Sequence, residues 1–573
     1  MKQGSPCGPT RVGSAIWARD QAVCVRSVPV AATYRVLVTD KLASEGLEVL
    51  KADPRFEVVV DSKLAGDPQA LRTALGEADG VVIRSGTMLT PEVLRGQTRL
   101  KAIVRAGVGV DNIDVTTATR QGIVVMNTPG GNTLSTAEHT LALLLALSRN
   151  IAPACASLKA GRWDRSKYTG SQLAGKTLGI IGLGRVGQAV AQRAIGFGMK
   201  VLGHDPFLSP DRARELGIEP TPLAEMWCRC DYLTLHVPLT EETRHLIGPA
   251  QFAAMKPGVR IVNCARGGLI DEPALIAALD AGKVAGAAID VFEPEPPPAD
   301  DPLVRHPKVL VTPHLGASTE EAQISVAVEA ARLLIDFLGE GRVRFAVNMP
   351  NLDKAELDEL RHHLELGRRL GMLHAQMDRG AARSVKLDYR GDIASRNTRL
   401  ISAAFTAGWM ETALTESVNL VNALVLAQER GIQITESHSR DTEDFGSLIS
   451  AEVVTDRKTY HASAALFGRQ RMRLVGLGPY QIDCDLEGVM LIFTHLDRPG
   501  LIGSIGTLMG NHNVNIAQMN VGRAVKGGEA IGVVNLDSIP PEEALEALRA
   551  LPDLYSVTVI QLPERGELPA WLL

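Results

Sequence analysis

The sequence predicts an α/β protein of two Rossmann-like lobes, one inserted in the other, followed by an intervening α+β domain and a small C-terminal domain of ferredoxin-like topology. Short apolar strands alternate with helical segments from Arg35 onward, a pattern that favours parallel sheets. A glycine-rich turn lies between two such strands near residue 182. Residues 489–563 follow the order strand–helix–strand–strand–helix–strand, which is typical of helices packed on one antiparallel sheet.

Length and composition bound the class of protein. A chain of 573 residues is too long for one hydrophobic core, so several domains are expected. The net charge of −5 gives no indication of a nucleic-acid or membrane partner, and no apolar run reaches the roughly 18–20 residues of a membrane span. Seven scattered cysteines favour a reducing compartment and a cytoplasmic protein. Cys228 and Cys230 lack companion ligands nearby, so no metal is predicted.

The first 33 residues follow no helix or strand period, and we predict an unstructured extension over 1–33. They contain Arg11, Arg19 and Arg26 and a single acid, Asp20. An upstream start codon would explain such a segment, and an organelle transit peptide is the alternative.

The first lobe is predicted from four apolar strands at 35–39, 58–60, 80–83 and 102–104, with helical segments between them. The run from Ser135 to Glu138 is typical of a capping box, in which a hydroxyl and a carboxylate satisfy free amides at a helix start. We therefore expect a buried apolar helix over 137–147. A helix predicted over 317–337 returns to this lobe, which we assign to residues 34–128 and 318–348.

The second lobe is predicted around the glycine-rich turn. Gly182, Gly184 and Gly187 follow an apolar strand as G-x-G-x-x-G, and Asp205 ends the next strand. The glycines permit a tight turn, approach of the backbone to a pyrophosphate and close packing of helix on strand. Asp205 can accept from both ribose hydroxyls and would repel a 2′-phosphate, which favours NAD over NADP. We assign residues 129–317 to this lobe, with later strands at 232–236, 260–263, 286–290 and 309–312.

Three polar residues follow successive strands of the second lobe, at the edge where ligands bind in open parallel sheets. Arg266, Glu295 and His314 should therefore face one crevice. His314 can take a hydroxyl proton, Glu295 can hold its imidazole, and Arg266 can grip a carboxylate with parallel hydrogen bonds. Asp290 can accept from a nicotinamide carboxamide. Each alone is an ordinary turn, loop or surface residue, but their joint placement favours a dehydrogenase.

Several motifs resemble those of the NAD-dependent D-2-hydroxyacid dehydrogenases. They are GLGRVG (182–187), NCARGG (263–268), DVFEPEP (290–296), PHLGAST (313–319), IRSGT (83–87), RAGVGVDNID (105–114) and NTPGGNTLSTAEHT (127–140). The resemblance covers about residues 34–565 and implies that Arg266, Glu295 and His314 are catalytic. It implies a cofactor site formed by Val108, Gly182, Gly184, Arg185, Val186, Gly187, Asp205, Val237, Cys264, Ala265, Arg266, Asp290, His314, Leu315, Gly316 and Ala317.

The C-terminal domains are similar to those of family members that oxidise 3-phospho-D-glycerate to 3-phosphooxypyruvate, the first step of L-serine biosynthesis. The resemblance implies substrate contacts from Arg84, Ser85, Val108, Gly109, Asn132 and Arg266. A phosphorylated substrate needs a second cation away from Arg266, and Arg84 ends a strand of the other lobe. Arg165 and Lys167 either add charge from a neighbouring subunit, as in relatives, or are surface cations.

Other activities stay open at this point. Some relatives use 2-oxoglutarate as an alternative oxidant. A glyoxylate or hydroxypyruvate reductase is the alternative enzyme, and an NAD-sensing corepressor is the alternative binding protein.

The last domain, residues 489–563, resembles an ACT domain, which binds small regulatory ligands. The motifs are HLDRPG (495–500) and NVNI (513–516). In relatives this site binds L-serine across a dimer of ACT domains, which implies effector contacts from His495, Asp497 and Asn515 and a homo-oligomer, a dimer or a tetramer. A purely structural domain is the alternative.

Residues 351–485 resemble the intervening domain of the same long members, with helical signals at 357–370 and 414–430. A basic stretch in this domain is either an anion site or a solvated face. It is formed by Arg383, Lys386, Arg390 and Arg396.

Overall fold

The computed structural model describes residues 34–567 and 569, apart from 352–353, 379, 381, 412–413, 415–417, 442–444 and 469. The extension predicted for residues 1–33 lies outside this part. Within it, no single helix is long and apolar enough to cross a membrane, whereas two helices joined at a bend, Thr133–Ser148 and Ile151–Lys159, meet the length and composition criteria as a pair.

The first lobe is a parallel five-stranded sheet with strand order β2-β1-β3-β4-β5. Its strands are β1 (Tyr34–Val38), β2 (Phe56–Val60), β3 (Gly80–Ile83), β4 (Ala102–Arg105) and β5 (Val124–Asn127). Its helices are α1 (Ser44–Ala52), α2 (Pro68–Leu75), α3 (Pro91–Leu94) and α4 (Val115–Arg120). The four predicted strands are confirmed, and β5 is added. The central strands are apolar runs because both faces of the sheet are covered.

Two helices, α5 (Thr133–Ser148) and α6 (Ile151–Lys159), connect the lobes. The capping box predicted at Ser135 is wrong, because α5 begins before it, after Asn132. The Ser135 hydroxyl lies within the first turn and donates to the Gly316 carbonyl at 2.8 Å. The Ser135 hydroxyl therefore bonds to a residue distant in sequence and does not cap the helix, as the local pattern had predicted.

The second lobe is a parallel seven-stranded sheet with strand order β12-β11-β10-β9-β6-β7-β8. Its strands are β6 (Thr177–Ile181), β7 (Lys200–His204), β8 (Glu219–Pro220), β9 (Tyr232–Leu235), β10 (Val259–Asn263), β11 (Val284–Ile289) and β12 (Val309–Val311). Its helices are α7 (Arg185–Gly196), α8 (Pro210–Glu215), α9 (Leu223–Met226), α10 (Pro249–Ala254), α11 (Glu272–Asp280) and α12 (Pro302–Arg305). The strand order reverses between β6 and β9, so the binding crevice lies beyond the carboxyl ends of these strands.

Helix α13 (Glu320–Leu334) brings the chain back to the first lobe and continues as a π-helical turn, Ile335–Gly339. It packs very closely on α1. A Cβ on Gly46 would lie 2.7 Å from the backbone of Ala327. Only glycine lets the two helix backbones approach to this distance, so α13 is fixed against the first lobe.

The intervening domain contains a six-stranded sheet with strand order β14-β13-β15-β16-β17-β18, in which only the β13–β14 pair is parallel. Its strands are β13 (Ala382–Gly391), β14 (Gln433–Ser439), β15 (Ser447–Thr455), β16 (Thr459–Phe467), β17 (Arg471–Leu477) and β18 (Tyr480–Asp485). Its helices are α14 (Lys354–Met377), α15 (Thr398–Met410) and α16 (Ala423–Glu429). The sequence missed α15 because this helix is buried almost all round and therefore has no polar face.

The C-terminal domain is an antiparallel sheet with strand order β20-β21-β19-β22, covered on one face by two helices. Its strands are β19 (Val489–Leu496), β20 (Ile516–Arg523), β21 (Glu529–Leu536) and β22 (Leu554–Gln561), and its helices are α17 (Leu501–Asn511) and α18 (Glu542–Arg549). The predicted ferredoxin-like topology is confirmed.

Hydrogen bonds and a shared hydrophobic core connect the last two domains to each other and to the first lobe. Arg369 of α14 is buried and donates to the carbonyls of Leu486 at 3.0 Å and Glu564 at 2.9 Å, which flank the C-terminal domain. The Asn422 amide donates to the Arg120 carbonyl at the base of the first lobe at 3.2 Å. One hydrophobic core runs through all three units.

Candidate active site

The glycine turn after β6 leaves space where a dinucleotide phosphate would lie. Gly182 has φ +92°, and a Cβ there would lie 2.7 Å from the His236 backbone. A Cβ on Gly187 would lie 2.0 Å from the Gly182 carbonyl oxygen. No described atom lies within 4 Å of a Cβ built on Gly184. Two glycines therefore shape the turn, and the third opens its backbone at the N-terminus of α7, which fits a pyrophosphate.

Asp205 lies directly after β7, beside this turn. Its Oδ2 accepts from the Leu183 amide at 2.7 Å and its Oδ1 accepts from the Phe207 amide at 2.8 Å. The carboxylate thus holds the glycine turn in place and remains half-buried at the strand end. This is the position from which an acid reaches a ribose in a Rossmann unit.

Three other predicted cofactor residues surround the turn. The Arg185 guanidinium lies over the Phe345 ring, 6.0 Å from its centroid. Val186 packs at the rim of the second-lobe core. A Cγ of Val237 lies 2.8 Å from a Cβ built on Gly182. All three therefore lie close to the open face of the turn or to its base.

Asp290 organises the chain that follows β12. It is fully buried, and it accepts from the Thr312 hydroxyl at 2.6 Å and from the Leu315 and Gly316 amides at 2.8 and 3.0 Å. The Nε2 of His139 lies 3.2 Å from the same carboxylate. Burial alone would raise the pKa of Asp290, but the hydrogen bonds, led by that from His139, outweigh it and lower the pKa. A nicotinamide carboxamide would have to donate to the remaining lone pair of Asp290 Oδ2.

The backbone of 314–317 is also held from both neighbouring helices. The Ser135 and Thr136 hydroxyls of α5 donate to the Gly316 carbonyl at 2.8 and 3.2 Å. The Gln323 amide of α13 donates to the Ala317 carbonyl at 2.7 Å. This segment is therefore rigid where the predicted cofactor contacts lie.

Cys264 and Ala265 follow β10 at the same edge. Burial raises the pKa of Cys264 to about 12, so its thiol stays protonated near neutral pH. The Ala265 amide donates to the Asn263 carboxamide at 3.0 Å. His139, Cys264 and Asp290 bring three potential ligand atoms within 4.8 Å of one another. A cation there would have to displace the hydrogen bonds that Asp290 already accepts.

His314 and Glu295 form a direct pair. The His314 Nδ1 lies 2.8 Å from Glu295 Oε2, and Glu295 Oε1 accepts from the Phe292 amide at 3.0 Å. Burial raises the pKa of Glu295, but the hydrogen bond from His314, the Phe292 amide and the charges of His314 and Arg266 together lower it. Glu295 is therefore ionised, and it directs the other imidazole nitrogen, Nε2, away from itself.

Arg266 crosses the cleft from the second lobe to the first. Its Nε donates to Asp111 Oδ2 at 2.9 Å, and its Nη1 donates to the Ala265 carbonyl at 2.6 Å. A Cβ on Gly109 would lie 1.8 Å from Arg266 Nη2, so the guanidinium lies directly on the first-lobe loop. The structure therefore places Arg266 at the junction of the lobes, near the His314–Glu295 pair.

Arg84 follows β3 on the first-lobe side of the cleft. Asp40 accepts from its amide at 2.6 Å, and its Nη1 donates to the Lys41 carbonyl at 3.1 Å. The side-chain amide of Asn112 donates to the Arg84 carbonyl at 2.7 Å. Its Nε is buried and has no hydrogen-bond partner among the described residues. The backbone of Arg84 is thus fixed while part of its guanidinium is left unsatisfied.

Arg105, the last residue of β4, was missed by the sequence reasoning. Its Nε is buried and has no partner in the described chain. Burial, together with the charges of Arg266 and Arg84, lowers the pKa of Arg105 to about 10, and the charges of Asp111 and Asp40 partly offset this shift. The sequence did indicate this residue. Arg105 ends a strand and opens the motif RAGVGVDNID, and Arg84 directly follows the neighbouring strand.

The other predicted substrate residues line the first-lobe loops. Ser85 is exposed after β3, and Val108 is half-buried, with its carbonyl accepting from the Asn127 amide. Asn132 precedes α5, and its Oδ1 is buried without a partner in the described part. Arg165 and Lys167 are exposed on the segment after α6.

The predicted effector residues do not meet within one chain. His495 and Asp497 lie at the end of β19, where Leu496 pairs with Glu529. Asn515 precedes β20, whose first residue pairs with Leu536 at the opposite end of β21. Asp497 accepts from the Arg523 guanidinium at 3.1 Å and the Gly527 amide at 3.0 Å, whereas Asn515 donates to Asp537 at 2.7 Å.

Comparisons with known proteins identify the family of the chain. Residues 141–316 match the family model of the D-isomer specific 2-hydroxyacid dehydrogenase NAD binding domain, 359–478 match the D-3-phosphoglycerate dehydrogenase intervening domain, and 489–553 match the ACT domain. The chain is 41% identical over 530 residues to D-3-phosphoglycerate dehydrogenase of Bacillus subtilis, covering 92% of this chain and 100% of that protein. It is 42% identical over 529 residues to the Methanocaldococcus jannaschii protein of the same name, with the same shares covered.

A solved structure gives the same picture for the two lobes. The TT0316 protein from Thermus thermophilus matches with a TM-score of 0.51 and 37% identity, over 55% of this chain and 99% of that one. The fold and the site therefore define the class, an NAD-binding dehydrogenase of D-2-hydroxy acids. Because the matching relatives are covered along their full length and share the two further domains, the chain belongs to the D-3-phosphoglycerate dehydrogenase family.

Proposed function

We propose that this protein oxidises 3-phospho-D-glycerate to 3-phosphooxypyruvate with NAD, the first step of L-serine biosynthesis. The observation that carries the proposal is the His314–Glu295 pair, joined at 2.8 Å, in the crevice that Arg266 enters. Oxidation of a 2-hydroxy acid needs two protein groups, a base that takes the hydroxyl proton and a cation that binds the carboxylate. The printed name of the relatives, D-3-phosphoglycerate dehydrogenase, supports the choice of substrate.

In this proposal His314 Nε2 takes the proton of the C2 hydroxyl. Glu295 accepts the Nδ1 proton, which fixes the tautomer and stabilises the imidazolium as it forms. Arg266 holds the carboxylate and the developing keto oxygen by its planar set of donors. NAD, when bound, accepts the hydride from C2.

The residues that would hold NAD follow from the same geometry. The open backbone at Gly184 and the N-terminus of α7 receive the pyrophosphate, and Asp205 receives the adenosine ribose. The fixed segment 314–317 and Val108 would flank the nicotinamide. We keep the remaining predicted contacts, at Arg185, Val186, Val237, Cys264, Ala265 and Asp290, as part of this proposal.

The substrate would lie between the lobes. We infer that Arg266 receives its carboxylate and Arg84 its phosphate, with Ser85, Gly109 and Asn132 at the rim. Arg165 and Lys167 would act from a neighbouring copy of the chain in a homo-oligomer.

We also propose L-serine as an effector of the C-terminal domain. Asp497 would take its ammonium group beside the buried His495. Because Asn515 lies at the other end of the same sheet, it could join them only from a second copy of the chain. The effector site therefore requires a homo-oligomer.

The proposed domain boundaries remain 34–128 with 318–348, 129–317, 351–485 and 489–563. We place the enzyme in the cytoplasm, since the described cysteines are all free thiols.

A steady-state assay tests the proposed function. Reduction of NAD is followed with 3-phosphoglycerate, D-glycerate and D-lactate, with a hydrazine trap for the keto product. We expect kcat/KM for 3-phosphoglycerate to exceed that for the other two acids by about 10- to 100-fold, because an ionic contact from Arg84 to the phosphate contributes about 1.5–3 kcal/mol. Equal kcat/KM values for the three acids would refute the choice of substrate.

A further inference from the structure

Phe345 has a backbone conformation that is unfavourable for a residue with a bulky side chain. Its φ is 55°, in the left-handed region that such residues adopt rarely. The residue lies in the irregular segment that follows helix α13 and its π-helical turn. A strained conformation persists only where the surrounding structure holds it, and it is common at ligand sites. A function of the ring would account for a conformation that phenylalanine otherwise avoids.

Strand β5 of the first lobe holds the backbone on both sides of this residue. The Phe345 carbonyl accepts from the Asn127 amide at 3.2 Å, and the Val347 amide donates to the Val125 carbonyl at 2.8 Å. The Asn348 side chain also accepts from the Val125 amide, at 3.0 Å. The backbone at Phe345 cannot relax without breaking this pairing, so the direction of the ring is fixed.

The ring restrains the side chain of Arg185. The Arg185 Cζ lies 6.0 Å from the ring centroid, a distance at which a cation is attracted to an aromatic face. A Cβ on Gly130 would lie 3.1 Å from Arg185 Nη1, so the guanidinium also lies close to the loop that follows β5. Arg185 forms no salt bridge with any residue that the structure describes. Its charge and its donors therefore remain free for a ligand.

The other charged groups near the ring do not compete for this arginine. The Arg344 Cζ also lies 6.0 Å from the ring centroid, but Arg344 donates to Asp336 through its Nε at 3.0 Å. Glu329 of α13 is close enough to be affected by both arginine charges, yet its burial raises its pKa and those charges offset the shift only in part. Of the two arginines at the ring, Arg185 is therefore the one without a carboxylate partner in the described chain.

Arg185 lies where the phosphates of a dinucleotide are expected. It is the first residue of α7 and directly follows Gly184, whose backbone is open. Both residues belong to the range 141–316 that matches the NAD binding domain. A guanidinium at this point can donate to pyrophosphate oxygens in addition to the helix amides. A long side chain loses rotamer freedom when it binds a ligand, so one that is already restrained by a ring loses less.

We propose that Phe345 is a positioning residue for the cofactor, because its ring restrains Arg185 in the place where the guanidinium binds the pyrophosphate of NAD. This inference rests on the proposed function, which assigns the pyrophosphate to the open backbone at Gly184. Arg185 supplies the charge, and Phe345 supplies the preorganisation. A residue of the connection to the intervening domain thereby contributes to cofactor affinity.

Titration with NADH tests the proposal without turnover. Phe345→Asn removes the ring and keeps the left-handed backbone, which asparagine tolerates. We expect the Kd for NADH to rise about 3- to 10-fold, because Arg185 must then lose its rotamer freedom on binding. ADP-ribose carries the pyrophosphate without the nicotinamide, so its Kd should rise by the same factor.

A double-mutant cycle separates this role from general support of the fold. Arg185→Gln should raise the Kd for NADH roughly 10-fold, through loss of an ionic hydrogen bond at an exposed position. Adding Phe345→Asn to Arg185→Gln should change the Kd by less than twofold, since the ring then has no guanidinium to restrain. Arg344→Gln is the matched control. Arg344 lies at the same distance from the ring but pairs with Asp336, so this variant should keep the Kd within twofold.

Two further variants distinguish the aromatic face from simple packing. Phe345→Tyr keeps the face and should bind NADH within twofold of wild type. Phe345→Leu keeps an apolar side chain but removes the face, so it should lose as much affinity as Phe345→Asn. Wild-type affinity in Phe345→Leu, or a loss in Phe345→Tyr as large as that in Phe345→Asn, overturns the role of the ring.

The remaining outcomes separate the inference from the proposed function. A wild type that binds neither NADH nor ADP-ribose contradicts both. Wild-type binding with an unchanged Kd in Arg185→Gln overturns the inference and leaves the proposed reaction standing. An unchanged Kd in Phe345→Asn, or the same fold-loss with and without Arg185, overturns the role of Phe345 alone.

Discussion

Replacing Glu295 by glutamine isolates the contribution of its charge to turnover. Glutamine keeps the shape and still offers an oxygen to His314 Nδ1, but it cannot stabilise the imidazolium as an anion does. A hydrogen bond between charged partners contributes about 1.5–3 kcal/mol. The Glu295 side chain is 37% exposed, so solvent screening places the loss near 1.5–2 kcal/mol. We therefore expect kcat of Glu295→Gln to fall by about 10- to 30-fold.

The pH dependence of the effect has a definite sign. The pKa of Glu295 lies below its ordinary value of 4.5, since its hydrogen bonds and nearby positive charges outweigh burial. A carboxyl whose folded pKa is lowered contributes its stabilisation above the ordinary pKa and loses it as pH falls through the folded pKa. The difference in kcat between wild type and Glu295→Gln should therefore have its largest value above pH 4.5 and become smaller only below that pH.

The assay is kcat at saturating NAD and 3-phosphoglycerate across the pH range. Glu293→Gln is the control, because Glu293 lies in the same loop and instead pairs with Arg244 at 2.9 Å. That variant should keep kcat within twofold. If Glu295→Gln retains wild-type kcat at neutral pH, or if Glu293→Gln loses as much, Glu295 does not support His314 in the reaction.

Four further substitutions test the cofactor and substrate sides of the cleft. Gly187→Ala places a Cβ 2.0 Å from a carbonyl of the glycine turn, so thermal melts should show a loss of about 1–3 kcal/mol, whereas Gly184→Ala should melt as wild type yet bind NAD more weakly. Equal melting of the two variants would contradict this packing. Asp205→Ser should raise kcat/KM for NADP relative to NAD, and an unchanged ratio would exclude a role for the carboxylate in cofactor choice. Asp111→Asn frees Arg266 from a competing anion, so KM for 3-phosphoglycerate should fall several-fold; a rise would indicate that Asp111 positions Arg266.

Much of the fold and the positions of the site residues could be predicted, because both depend on local pattern and on one rule of topology. Buried parallel strands are short apolar runs, so their order along the chain is visible in the sequence. The rule that ligands bind beyond the carboxyl ends of such strands selected Arg266, Glu295 and His314. The structure then placed two of them in direct contact at 2.8 Å, which no spacing along the chain could specify.

The sequence-based predictions fail where contacts between residues distant along the chain determine the structure. The Ser135 hydroxyl matched a capping box, but it donates instead to the Gly316 carbonyl, which is 181 residues away along the chain. Arg105 drew no attention because a charged residue at a strand end is ordinary until its surroundings show that it lacks a counter-ion. Asp497 and Asn515 belong to the two neighbouring motifs HLDRPG and NVNI, yet strand register puts them at opposite ends of the sheet.

Transfer of deuterium tests the central claim most directly. Wild type is incubated with NAD and 3-phospho-D-glycerate deuterated at C2, and the isotopic content of the reduced cofactor is measured by mass spectrometry. His314→Asn is the comparison, since asparagine tolerates the left-handed backbone that His314 adopts at φ 54°. The account predicts that wild type forms deuterated NADH and that His314→Asn forms it at least 100-fold more slowly. NADH without the label, or an equal rate in the variant, would contradict it.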